Sequence, residues 1–174
     1  KKLLSSSKVL VHYDPNKPIV LAVDSSQYGL GAILSHKMED GNEKPIAFAS
    51  RTLNCAERNY AQVDKEALAI AFGVKKFHTF LVGRFFTIVT DHKPLLGLLN
   101  TTKATPEVCS PRILRWSIAL GCYNYELIHR PSKQISHADC LSRLPLPHCP
   151  KQVPDIGDVL LLHSDHDFRL SPST

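Results

Sequence analysis

Four acidic residues stand where acids are costly. Asp24 ends the apolar run Ile19-Val20-Leu21-Ala22-Val23, and Asp91 ends a second one, Phe85-Phe86-Thr87-Ile88-Val89-Thr90. Glu66 lies on or beside the apolar face of a long helical pattern, and Asp139 falls in the first turn of a short one. A carboxylate at the end of a buried strand needs a partner, and a hard divalent cation is one that several carboxylates can share. Each acid has a plainer alternative. Asp24 can open a turn, Asp91 can cap a helix near Pro94, and Glu66 can reach water from the helix edge. Ser136-x-x-Asp139 has the form of a capping box. Taken together, four acids at strand ends and helix faces point to a carboxylate cluster holding Mg²⁺. That is the arrangement of two-metal phosphoryl transfer, with ions ~3.5–4 Å apart. One ion makes a hydroxide-like nucleophile from water and the other stabilises the leaving oxygen. No serine, cysteine or histidine motif demands a covalent nucleophile. Cys149 with His163-x-x-His166 does not supply four ligands at a recognised zinc spacing.

The elements that must position these acids follow from the pattern. Residues 19–24 are apolar on both faces, which predicts a central strand in a sheet covered on both sides. A second strand is expected over 27–35, where Gly29 and Gly31 suggest a close backbone approach or a bulge. Asp40-Gly41-Asn42 is a turn leading to a third strand over 45–50. A helix capped by Asn54, with Glu57 three residues on, should run about five turns through Val63, Ala67, Ile70, Val74, Phe77 and Leu81, and Gly83 should stop it. Its opposite face would carry Arg58, Asp64, Lys65 and Lys75. A fourth strand over 85–90 returns parallel to the first. Short helices over 94–100 and 110–120, a fifth strand over 123–129 and a last helix over 136–144 complete the unit.

With 174 residues, 43% hydrophobic and 21% charged, the chain has the size and composition of one well-buried domain with tails. A net charge of +5 suits an anionic partner such as nucleic acid, and equally an ordinary basic surface. The five cysteines form no CxxC pair, which fits a reducing compartment. No apolar run approaches the ~20 residues of a membrane span. The chain starts at Lys1 without methionine and reads as a fragment of something longer.

The order Asp, Glu, Asp, Asp on strand one, first helix, strand four and last helix resembles ribonuclease H. The strings AVDSSQYGLGAILSH, KPIAFASRTLNCAERNYAQVDKEALAI, FTIVTDHKPL, ILRW and HADCLSRLP resemble the RNase H domain of Ty3/gypsy-type (LTR) retrotransposon reverse transcriptases, over about residues 8–146. The resemblance implies an α/β ribonuclease H-like fold, a mixed five-stranded sheet with strands 1–3 antiparallel and strands 1, 4 and 5 parallel, flanked by helices. It implies a metal-dependent endonuclease that cuts the RNA strand of RNA–DNA hybrids during reverse transcription. By that analogy Asp24, Glu66, Asp91 and Asp139 are the catalytic acids and ligands of two Mg²⁺ ions, with Mn²⁺ able to substitute. Asp24 bridges both ions, Asp139 helps hold the one that activates water, and Glu66 and Asp91 hold the other. His129 matches the mobile histidine of many such enzymes in its spacing from Asp139, but is equally an ordinary strand residue. His137 lies closer to Asp139 in sequence with no better support, and His92 reads as a supporting residue beside Asp91.

Substrate contacts are expected from Ser25, Ser26 and Gln27 at the 2′-hydroxyl side, and from Arg51, Lys93, Arg112 and Arg115 at phosphates; each base can equally be a solvated surface charge. Residues 100–110 are too short for the basic helix and loop of cellular enzymes, so the isolated domain should grip hybrids weakly and lean on the polymerase domain of the same polyprotein. Residues 1–17 are then the end of the connection from that polymerase and 18–146 the RNase H domain. Residues 147–174 are a proline-containing linker towards an integrase. The setting implied is a cytoplasmic retrotransposon particle or the nucleus, without a membrane. The competing reading is a catalytically silent or co-opted RNase H-like domain that binds hybrids or tethers other parts.

Overall fold

The computed structural model describes residues 10–99, 110–131 and 141–142. Five strands form one sheet in the order β3-β2-β1-β4-β5. They are β1 (Ile19–Ser25), β2 (Gly29–Lys37), β3 (Glu43–Thr52), β4 (Phe85–Thr90) and β5 (Asn124–His129). β1 pairs antiparallel with β2 and parallel with β4; β2–β3 is antiparallel and β4–β5 parallel. This is the mixed sheet that the resemblance implied, with the doubly apolar strand β1 at its centre. On one face Ile19, Leu21 and Val23 pack with Ala67, Ile70, Ile113 and Trp116. On the other Val20, Ile33 and Val89 pack with Leu141. Each fully buried aliphatic side chain here stabilises the fold by about 1.5–3 kcal/mol.

The single long helix expected after Asn54 is instead three: α1 (Cys55–Arg58), α2 (Gln62–Lys76) and α3 (His78–Leu81). The capping box forms, with Glu57 N–H donating to Asn54 Oδ1 and Asn54 N–H to Glu57 Oε2. It closes only one turn, because Asn59 leaves the helical region and Ala61 is extended at ψ 154° before α2 begins. Phe77, at φ −107° and ψ 20°, separates α2 from α3 while its ring stays in the core. Gly83, at φ +71°, ends the unit as expected. Downstream, α4 (Leu95–Leu98) and α5 (Pro111–Leu120) form at the expected places. Ser110 caps α5, accepting from Ile113 N–H, with Pro111 in the first turn.

Asp64 and Lys65, expected to face solvent, are buried. For Asp64 the cause is α5: Ser110 Oγ donates to Asp64 Oδ1 at 2.8 Å, and Arg112 Nη1 stands 3.6 Å from Oδ2. One carboxylate therefore docks the N-terminus of α5 onto α2, where its charge also complements the helix dipole.

Residues 10–17, expected as linker, pack on the sheet. The Tyr13 ring stacks on His36 at 5.6 Å, and Asp14 N–H donates to His36 Nε2 at 2.9 Å. Arg84 bonds the Tyr13 hydroxyl and the Pro15 carbonyl. The β2–β3 irregularity lies at Leu34/Ser35, not at the glycines. Gly29 is a site of close approach: a Cβ there would lie 2.8 Å from the Ser142 carbonyl oxygen and 3.0 Å from that of Arg51.

Candidate functional site

The parallel register carries Asp24 and Asp91 to the same sheet end. Ala22 pairs with Val89, and each acid lies two residues further on. α2 crosses this face with Gly73 against it: a Cβ on Gly73 would stand 3.0 Å from Val23 Cγ1 and 3.2 Å from Ala32 Cβ. Two helical turns before Gly73 is Glu66, so the close approach that Gly73 permits also lowers Glu66 toward the strand ends. Carboxylate oxygens of Asp24, Glu66 and Asp91 all lie within 4.8 Å of one another. Asp24 and Glu66 are buried, and Asp91 is half-buried.

Three carboxylates this close repel one another in low dielectric unless a proton or a cation intervenes. Burial raises the Glu66 carboxyl to about 7; the charges of Asp24 and Asp91 add to the rise, while hydrogen bonds from Ser25 and Gln62 oppose it. Gln62 Nε2 donates to Glu66 Oε1 at 2.6 Å, leaving the buried Oε2 without a hydrogen-bond partner among the described residues. A buried acceptor with no donor, on a carboxylate clustered with two others, fits a bound cation. The donor set is all oxygen, which suits a hard divalent ion such as Mg²⁺ or Mn²⁺.

Other expected site residues fall into three groups. Ser25, Ser26 and His129 border the cluster. Ser25 is buried, with its hydroxyl 3.2 Å from Gln62 Nε2. Ser26 Oγ accepts from Gly29 N–H at 3.0 Å and donates to the Ser142 carbonyl at 2.5 Å, so it staples the β1–β2 turn. His129 ends β5 opposite Thr90, and its Nε2–H donates to the Asp91 carbonyl at 3.1 Å. Gln27, Lys93 and Arg115 are exposed. Arg51 and Arg112 are engaged elsewhere. Arg51 makes a bidentate pair with Glu57, Nη1–Oε2 2.7 Å and Nη2–Oε1 2.8 Å, with its guanidinium over Phe72. Arg112 pairs with Asp64 and lies 4.1 Å over the Tyr60 ring. Both are explained by packing within the fold. Asp139 and His137 lie outside the described residues, as do Cys149, His163 and His166. His92 is half-buried after Asp91, its N–H donating to Thr90 Oγ1 at 3.2 Å.

Two residues at the cluster escaped the sequence reading. Gln62 is one turn before Glu66, and that i, i+4 spacing was the available signal. Ser142 Oγ donates to Asp24 Oδ2 at 2.5 Å across 118 residues of chain. Its only hint in sequence is a position three residues after Asp139.

Among the described residues no helix is long and apolar enough to cross a membrane. Residues 14–123 match the family model of the RNase H-like domain found in reverse transcriptase. The chain is 37% identical over 146 residues to the retrovirus-related Pol polyprotein from transposon opus of Drosophila melanogaster, covering 83% of this chain and 14% of that one. The identity and coverage of this chain are the same for the transposon Tf2-3 polyprotein of Schizosaccharomyces pombe (strain 972), of which 11% is spanned. The chain therefore corresponds to a small part of these curated relatives. Among solved structures, the foamy viral protease-reverse transcriptase dRH in complex with double-stranded DNA superposes with a TM-score of 0.60 at 18% identity, over 74% of this chain and 24% of that one. LC11-RNase H1 in complex with an RNA/DNA hybrid gives 0.53 at 15% identity, over 71% of this chain and 92% of that one. At such identities these two speak for the fold alone. The sequence matches carry the assignment further: this chain belongs to the RNase H-like family found in reverse transcriptases, in its Ty3/gypsy-type retrotransposon branch.

Proposed function

We propose that this chain is an endoribonuclease that hydrolyses the RNA strand of RNA–DNA hybrids, leaving a 3′-hydroxyl and a 5′-phosphate. The observation that carries the reading is the convergence of the carboxylates of Asp24, Glu66 and Asp91, with the buried Glu66 Oε2 lacking a hydrogen-bond partner among the described residues. Asp139 is the proposed fourth acid. Divalent ions held by these carboxylates would supply an activated water and charge stabilisation at the leaving oxygen. The chain's own residues do the rest. Gln62 and Ser25 hold Glu66, and the parallel β1–β4 register holds Asp24 beside Asp91. The exposed Gln27 and Lys93 flank the acids and are the candidate contacts to ribose and phosphate. With Arg51 and Arg112 committed to internal pairs, fewer bases remain for phosphates than the sequence offered, which supports a weak grip by the isolated domain. The polymerase region of the same polyprotein would supply the missing grip. In this reading residues 1–17 connect to it and 147–174 lead towards an integrase.

Labelled RNA annealed to DNA, incubated with Mg²⁺ or Mn²⁺, tests the proposal. The RNA strand should be cut while its DNA strand and free RNA stay intact. Asp24→Asn and Asp139→Asn should each lower the rate by at least about a hundredfold. Hybrid binding without cleavage in either metal, at high protein concentration, would overturn it in favour of a silent hybrid-binding domain.

A further inference from the structure

We infer that Ser142 is a positioning residue, whose hydroxyl holds Asp24 in its ion-binding orientation; the inference rests on the proposed metal-dependent reading of the acid cluster. Ser142 Oγ donates to Asp24 Oδ2 at 2.5 Å, and both residues are buried. A carboxylate oxygen has two lone pairs, so this bond and a cation can share Oδ2. The hydrogen bond removes rotational freedom from the carboxylate before any ion arrives. Partners of this kind orient metal ligands, and losing one typically weakens metal binding about 10–100-fold.

The same residue is anchored from behind through its backbone. Its carbonyl accepts from Ser26 Oγ at 2.5 Å and lies against Gly29, where any Cβ would stand 2.8 Å away. Ser26 and Gly29 belong to the turn that follows Asp24. The hydroxyl and the carbonyl of Ser142 therefore grip both sides of one turn. Only the hydroxyl is lost in Ser142→Ala; the anchor to Ser26 and the contact at Gly29 need only backbone. Removing the hydroxyl of Ser26 has the converse effect.

The test is Mn²⁺ uptake by the whole chain without nucleic acid, read from the loss of the free-ion electron paramagnetic resonance signal, with thermal unfolding measured alongside. Ser142→Ala should raise the Mn²⁺ dissociation constant about tenfold at nearly unchanged metal-free melting temperature. Ser142→Thr, which keeps a hydroxyl, should restore much of the affinity. Ser26→Ala should lower the melting temperature with a smaller effect on affinity. Wild-type uptake of Mn²⁺ with Ser142→Ala indistinguishable from it overturns this inference alone. A loss of affinity that merely follows the loss of folding, and is the same in Ser142→Thr, also overturns it. No uptake by the wild type removes both this inference and the proposed function.

Discussion

Gln62 Nε2 lies 2.6 Å from Glu66 Oε1, one helical turn along α2, and 3.2 Å from Ser25 Oγ. A single amide thus serves one oxygen of a carboxyl that burial raises to about 7, while the other oxygen has no hydrogen-bond partner among the described residues. Three carboxylates held this close together have measurable consequences.

Glu66 sets a pH dependence on the metal-free fold. Its ordinary value is 4.5 and burial raises it to about 7. Between those limits the folded chain keeps a proton that the unfolded chain has lost, so stability falls as pH rises through the window. The contribution is present in full below about 4.5 and amounts to roughly 3 kcal/mol lost by pH 7 and above. Urea unfolding in EDTA at several pH values should show this decline, and Glu66→Gln should flatten it.

Divalent ions should reverse that trend. An ion competes with the Glu66 proton, so its uptake releases protons and strengthens toward pH 8. The rise in melting temperature at saturating Mg²⁺ should be larger at pH 8 than at pH 5.5. Equal shifts at both values would count against Glu66 as a ligand.

Arg51 should behave as part of the fold and not as a phosphate contact. Its bidentate pair with Glu57 is largely buried, and breaking such a pair strands the remaining charge. Arg51→Ala should destabilise by about 3 kcal/mol in chemical denaturation. Arg51→Lys should rescue poorly, since a single ammonium cannot reproduce the fork. The salt dependence of hybrid binding, measured with Ca²⁺ in place of Mg²⁺, should be unchanged in folded Arg51→Lys protein, whereas Lys93→Ala should make it shallower.

Gly29→Ala should cost about 1–3 kcal/mol, because the added methyl meets two backbone carbonyl oxygens and neither is the end of a flexible side chain. Ser142 would be displaced first. Hydrogen exchange at its amide, compared with that of residues in β2, would report the loss.

The strands and the clustering of Asp24, Glu66 and Asp91 were legible because they obey local rules. The run before Asp24 is apolar on both faces, and such a run has one good place in a mixed sheet. Glu66 was legible as a carboxylate on a packed helical stripe. The break at Asn59–Ala61 was not, since the capping box at Asn54 and Glu57 is an equally good start for a long helix or for a single turn. Nor were the fates of Arg51 and Arg112. A lone arginine in sequence gives no sign of whether its partner is a phosphate or, as here, Glu57 or Asp64 on a neighbouring element. Asp64 was misread for the same reason: its partner Ser110 is 46 residues away. Periodicity reports which face is apolar, not which polar groups meet across it.

The bond between Asp24 and Ser142 spans 118 residues. Closing so long a loop costs conformational entropy that only the finished sheet can offset. The strand ends, with Asp24, Glu66 and Asp91, can therefore come together before the serine arrives to steady one of them. During synthesis that interval lasts until the ribosome has released nearly the whole folding unit. A chain cut short of Ser142 keeps Asp24, Glu66 and Asp91 yet lacks the hydroxyl bonded to Asp24, so a late part of the folding unit reaches back to one of its first acids.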